Sequence, residues 1–212
     1  MERHAALQAL GWGEPFASSF APYAEQDLIP GRVGVEHRNR YLVHDGEHDL
    51  DARLSGKLRL HLKRTGDRPV VGDWVAMRTG RAGQATIQVR LTRKSHISRK
   101  VAGRTNEEQV LAANIDTVFL TTALTGDVNA RRLERYLLLA WESGAQPVIL
   151  LSKGDMIDDP SGGRADVERV AKGVPVHVIS GRTGVGLDAL QPYLQPGETI
   201  AVLGSSGVGK ST

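Results

Sequence analysis

The 212-residue chain contains no cysteine. Disulfide bonds and thiolate-held metal centres are therefore excluded, and the absence fits a reducing compartment. Aromatic residues make up only 5% of the chain, with three Trp, three Phe and four Tyr. No apolar run approaches the roughly 20 residues that a membrane-spanning helix needs. The N-terminus, Met1-Glu2-Arg3-His4, leads into polar sequence with no signal-peptide core. These absences predict a soluble, cytoplasmic protein with no membrane partner. The apolar share of 40% is enough for a packed core, and the length predicts one to two domains.

The net charge of +3 is unevenly spread. Residues 1–30 carry one Arg against four acids. Residues 31–104 carry 17 Lys and Arg against seven acids, and residues 105–212 carry nine against thirteen. A basic block of domain size points to a polyanionic partner such as RNA.

Four regions follow from the patterning. Residues 1–30, with Pro15, Pro22 and Pro30, predict a mostly irregular arm around one helical turn at Leu7, Leu10 and Trp12. Residues 31–91 contain about five short strand signals, with turns at Arg38-Asn39, Asp45-Gly46 and Gly72-Asp73, and Leu54, Leu58, Leu60 and Leu62 at even spacing. This predicts a small barrel, with an OB-fold as the best fit. Tyr41 and Trp74 are its candidate base-stacking aromatics, Trp74 fitting the barrel core better. Residues 92–113 begin with the basic stretch Thr92 to Lys100, which reads as a linker or as a segment lying against the barrel or a partner. Residues 114–212 alternate apolar strands with helical patterns, Asn129 capping a helix that carries Leu133, Tyr136, Leu137 and Ala140. That alternation predicts a parallel sheet covered on both faces, with ligands held at the carboxyl ends of its strands.

Three strand ends carry chemistry. Gly204-Ser205-Ser206-Gly207-Val208-Gly209-Lys210-Ser211 fits the G-x-x-x-x-G-K-[ST] phosphate loop without mismatch, directly after the apolar run Thr199 to Leu203. Glycines let successive backbone N–H groups face one anion, and the following helix adds its positive end. Lys210 would then meet the β and γ phosphates, and the Ser211 hydroxyl would ligate Mg²⁺. Ser152-Lys153-Gly154-Asp155 follows the run Val148 to Leu151. The Asp155 carboxylate there could accept from guanine N1–H and its 2-amino group, which adenine does not offer. Ser180-Gly181-Arg182 follows Val176 to Ile179, and a backbone N–H at that turn could donate to guanine O6.

The two base-reading elements precede the phosphate loop, the reverse of the usual GTPase order. With a basic barrel in front, the chain resembles the circularly permuted, ribosome small-subunit-dependent GTPase family (RsgA, YjeQ or EngC). The resemblance covers nearly everything from about residue 31 to Thr212. It implies an OB-fold barrel followed by an α/β P-loop GTPase domain, in a monomer that hydrolyses GTP to GDP and assists late maturation of the small ribosomal subunit through its rRNA. It implies nucleotide contacts at Ser152 to Asp155, at Ser180 and Gly181, and from Gly204 to Thr212, with Mg²⁺ as cofactor. Two departures stand out: Ser152 replaces the family's usual Asn or Thr, and Gly181 its usual Ala. The switch segments, the catalytic residues and a zinc-binding C-terminal domain would follow Thr212, so the GTPase domain is expected to be incomplete here and inactive in hydrolysis by itself. Two other readings remain open: a P-loop ATPase or kinase with an attached RNA-binding barrel, and an RNA-binding protein with a vestigial P-loop domain.

Overall fold

A computed structural model describes residues 2–62, 67–100, 108–126 and 129–210. The chain divides into two compact units, one running to Asn114 and the other starting at Ile115.

In the first unit, strands β1 (Ile29–His37), β2 (Arg40–His44), β3 (Asp49–Leu54), β4 (Trp74–Thr79) and β5 (Gln84–Arg90) close into a barrel in the order β1-β2-β3-β5-β4. β3 and β5 run parallel, and the other neighbouring pairs, including the closing pair β1–β4, are antiparallel. This is an OB-fold. Arg38 and Asn39 both adopt positive φ, 42° and 70°, which gives the two-residue hairpin turn that suits twisted strands. The Asp45 carboxylate shapes the next turn by accepting from the backbone N–H groups of Glu47 and His48. Alternation along β2 and β3 then turns Tyr41, Val43, Leu50, Ala52 and Leu54 into the core.

The even-spaced leucines do not continue a strand. Gly56–His61 is a short helix, α3 as numbered along the chain, after α1 (Glu2–Ala9) and α2 (Glu14–Phe20). The Ser55 hydroxyl caps it by accepting from Leu58 N–H at 3.1 Å. Leu58 and Leu62, four residues apart, both pack on the barrel, while Leu60 is 84% exposed. The spacing of four, which suits a helix, outweighed the spacing of two.

Residues 1–30 are likewise more regular than the irregular arm expected of them. Pro15 lies in the first turn of α2, where its missing N–H leaves no helical bond unmade. Leu7, Trp12 and Phe16 pack with Leu28, Trp74, Ala76 and Leu91, and Trp12 meets Trp74 edge-on at 4.7 Å between ring centroids. Both faces of β4 are thereby buried: Val75 and Met77 inside the barrel, Trp74 and Ala76 under the helices. Trp74 and Tyr41 are each 1% exposed, so neither can stack on a base.

Segment 92–113, expected as a linker, carries the antiparallel strands β6 (His96–Lys100) and β7 (Glu108–Ala113). Several of its described polar residues have internal partners. Arg93 pairs with the fully buried Asp73 through two bonds of 2.7 and 2.8 Å. Val110 and Ala113 pack on Val70, and the Asn114 amide donates to the Gly72 carbonyl. Gly72 has φ of 90°, and a Cβ there would lie 2.1 Å from the Ala113 carbonyl oxygen. Gly72→Ala is expected to lower the stability of this unit by about 3 kcal/mol, near the top of the ordinary single-substitution range. Urea unfolding measures it, and a loss near zero would deny the close approach.

The second unit holds four parallel strands in the order β10-β9-β8-β11: β8 (Thr117–Ala123), β9 (Gln146–Ser152), β10 (Val176–Val178) and β11 (Ile200–Gly204). Helix α4 (Ala130–Ser143) is capped by Asn129, whose side chain accepts from Arg132 N–H, and ends at Gly144 with φ of 82°. Leu133, Leu137 and Ala140 form its buried stripe. Helix α5 (Ser161–Val170) starts across Gly162 and Gly163, and the Asp159 carboxylate accepting from Ser161 N–H supports that start. Leu187–Tyr193 is a 3₁₀ helix. The Asp116 carboxylate accepts from Thr199 N–H at 2.9 Å, fixing β11 in register beside β8.

Candidate functional site

Because the four strands are parallel, their carboxyl ends share one edge of the sheet. The three predicted loops leave from β11, β9 and β10 at that edge.

β11 ends at Gly204, where a Cβ would lie 2.5 Å from the Thr121 carbonyl oxygen on β8. This glycine is required by packing. Gly207 and Gly209 are required by conformation, with φ of 77° and 91° and open space around them. Val208 is buried and anchors the loop. The Lys210 ammonium donates to the carbonyls of Gly204 and Ser205 at 2.9 and 2.6 Å, curling the loop on itself. Ser211, the predicted magnesium ligand, and Thr212 lie outside the described residues. Among the described residues no cluster of three or more His, Asp or Glu side chains could hold a metal ion.

At the end of β9, Ser152 is 5% exposed and its hydroxyl donates to the Val208 carbonyl at 2.6 Å. This bond joins the predicted base-reading loop to the predicted phosphate loop. A small hydroxyl suffices for the tie, which gives Ser152 a job despite its departure from the family pattern. Lys153 adopts φ of 60°, uncommon for a residue with a Cβ, and so turns the chain sharply out of the sheet. Gly154 N–H donates to the Ile179 carbonyl at 3.0 Å, and a Cβ on Gly154 would meet the Val178 side chain at 2.7 Å. Asp155 lies in the following 3₁₀ turn, Gly154–Met156. It is exposed, and its carboxylate makes no hydrogen bond or ion pair with a described residue.

The third loop closes on itself. Ser180 N–H donates to the Val185 carbonyl, and the Ser180 hydroxyl accepts from Thr183 N–H. Gly186, with φ of 78°, would bring a Cβ 2.1 Å from the Val178 carbonyl oxygen, so the turn admits no side chain there. The Ser180 N–H is thus engaged internally. Gly181 N–H has no partner among the described residues. Backbone bonds from Ile179 to Leu151 and from Gly154 to Ile179 hold this loop against the end of β9.

Arg132 also reaches this edge, at a position that no motif in the sequence marks. Its side chain donates to the Ser205 hydroxyl at 2.6 Å. The available signal was a pair of arginines directly after Ala130 and the Asn129 cap.

Residues 90–212 match the RsgA GTPase family model. The chain is 41% identical over 215 residues to the small ribosomal subunit biogenesis GTPase RsgA of Opitutus terrae, spanning 97% of this chain and 59% of that protein. It is 43% identical over 203 residues to the protein of the same name from Methanosarcina acetivorans, spanning 95% and 54%. Among solved structures it is similar to YjeQ from Thermotoga maritima, with a TM-score of 0.69 and 27% identity over 87% of this chain and 63% of that one. YloQ, a circularly permuted GTPase, is similar in fold, with a TM-score of 0.63 at 19% identity over 88% and 63%. The chain therefore spans between a half and two thirds of the length of these relatives. The matched span contains the whole parallel sheet and all three loops at its carboxyl edge, and the chain belongs to the RsgA GTPase family.

Proposed function

We propose that this protein binds GTP and GDP at the edge formed by the ends of β9, β10 and β11, and that it acts as a GTPase in maturation of the small ribosomal subunit. The bond from Ser152 to Val208 carries the reading, because it makes the base-reading and phosphate loops one connected surface. In this reading Asp155 accepts from the guanine N1–H and 2-amino groups, Gly181 N–H faces O6, and the Lys153 stem lies along the base. The amides from Gly204 to Lys210 surround the phosphates, Lys210 leaves its loop carbonyls for the β and γ phosphates, and the Ser211 hydroxyl ligates Mg²⁺. Residues 114–212 form the nucleotide domain. The barrel of residues 31–91 meets rRNA through its arginine and lysine side chains, a contact that weakens as salt rises. The relatives named as small-subunit biogenesis factors support this partner, and a cytoplasmic monomer suits the task.

Displacement of a fluorescent GDP from the chain tests the nucleotide assignment. Unlabelled GDP and GTP are expected to compete, and ATP to require at least about a hundredfold higher concentration, as expected when a buried or charged polar partner is left unpaired by the wrong base. Equal competition by ATP would favour the ATPase or kinase reading, which gives Asp155 no role.

A further inference from the structure

Two cationic side chains from different elements converge on Ser205, the first residue of the phosphate loop after Gly204. Lys210 donates to its carbonyl at 2.6 Å. Arg132, in the first turn of α4, donates through Nη1 to its hydroxyl, also at 2.6 Å. Neither cation forms an ion pair with a described carboxylate.

The first turn of a helix carries the positive end of the macrodipole and favours negative charge. The first turn of α4 instead holds Arg131 and Arg132 and no acidic residue. A guanidinium has five N–H donors, in a planar fork that fits phosphate oxygens. Ser205 uses one of the Arg132 donors. The phosphate-loop lysine serves the β and γ phosphates, and Arg132 is held on the same loop residue as Lys210. With a nucleotide in the proposed site, its remaining donors would be free to meet the phosphates that Lys210 serves.

We propose that Arg132 is a phosphate-contact residue that distinguishes nucleoside triphosphate from diphosphate, an assignment that rests on the nucleotide site described above. The test compares GDP with a non-hydrolysable GTP analogue on the chain carrying Arg132→Met or Arg132→Lys. Arg132→Met is expected to weaken the triphosphate analogue about tenfold or more, as loss of a charge-assisted hydrogen bond does, and GDP less than about threefold. Arg132→Lys, which keeps the charge and loses the fork, is expected to recover part of the difference. Thermal unfolding without nucleotide reports whether each variant is folded. Equal losses for both nucleotides would make Arg132 a structural tie to Ser205 and overturn the proposal, as would unchanged affinities. The same ratio is read with ADP and an ATP analogue. Equal binding of adenine and guanine nucleotides, with Arg132→Met still weakening triphosphates more than diphosphates, would refute the guanine assignment alone; guanine preference kept, with Arg132→Met affecting both phosphate states equally, would refute the role of Arg132 alone.

Discussion

Replacing Asp155 with Asn is expected to weaken GDP binding by two to four orders of magnitude and to create affinity for xanthosine diphosphate. The carboxylate can accept two hydrogen bonds from guanine, and each bond to a charged group contributes about 1.5–3 kcal/mol, so losing both corresponds to roughly 10²–10⁴ in affinity. Asn offers one acceptor and one donor. It repels the guanine 2-amino group but suits xanthine, which has a carbonyl at that position beside an N1–H. Asp155 is exposed and makes no bond with a described residue, so the substitution should leave the fold intact. Calorimetric titration of the variant with GDP and xanthosine diphosphate reads the switch. Unchanged GDP affinity would mean that Asp155 does not face the base.

Arg93→Met is expected to destabilise the first unit by about 3–5 kcal/mol, the cost of leaving a buried carboxylate without its partner. Asp73 is fully buried, and both its oxygens bond Arg93, one of them also accepting from Val70 N–H. Arg93 further donates to the Arg68 carbonyl at 2.9 Å. Methionine fills the volume of the arginine stem but satisfies neither oxygen. Against a typical domain stability of about 5–15 kcal/mol, such a loss is large. Equilibrium urea unfolding followed by tryptophan fluorescence should show it, because Trp74 adjoins Asp73 in the chain and is buried in this unit. A loss below about 1 kcal/mol, the scale of an exposed pair, would contradict an internal ion pair.

Much of this architecture was legible in the sequence, for identifiable reasons. The strands of the second unit are continuous apolar runs, and the Asn129 cap of α4 is written in a single residue. The barrel turns were marked by Arg38-Asn39 and Asp45-Gly46. Three features were obscured. The leucines at 58, 60 and 62 satisfy both a spacing of two and a spacing of four, and only the Ser55 cap separates the readings. The prolines of residues 1–30 suggested irregular chain, yet Pro15 occupies a helix position that tolerates it. The basic start of segment 92–113 suggested a linker, because the partner of Arg93 is Asp73, twenty residues away and invisible to local patterning. At the candidate site, the positions of the three loops were legible because glycines and polar residues follow the apolar runs of β9, β10 and β11 directly. The tie from Ser152 to Val208 and the contact from Arg132 to Ser205 span 56 and 73 residues, and no local pattern encodes them.

The central claim is that distant loops hold one guanine nucleotide together. Backbone amide NMR of the chain during titration with GDP and then, separately, with ADP tests it most directly. GDP is expected to shift the amides of Gly154, Asp155 and Gly181 along with those from Ser205 to Lys210, all with one binding constant. ADP at the same concentrations should leave Asp155 and Gly181 where they were. Shifts confined to the phosphate loop with both nucleotides would contradict the account.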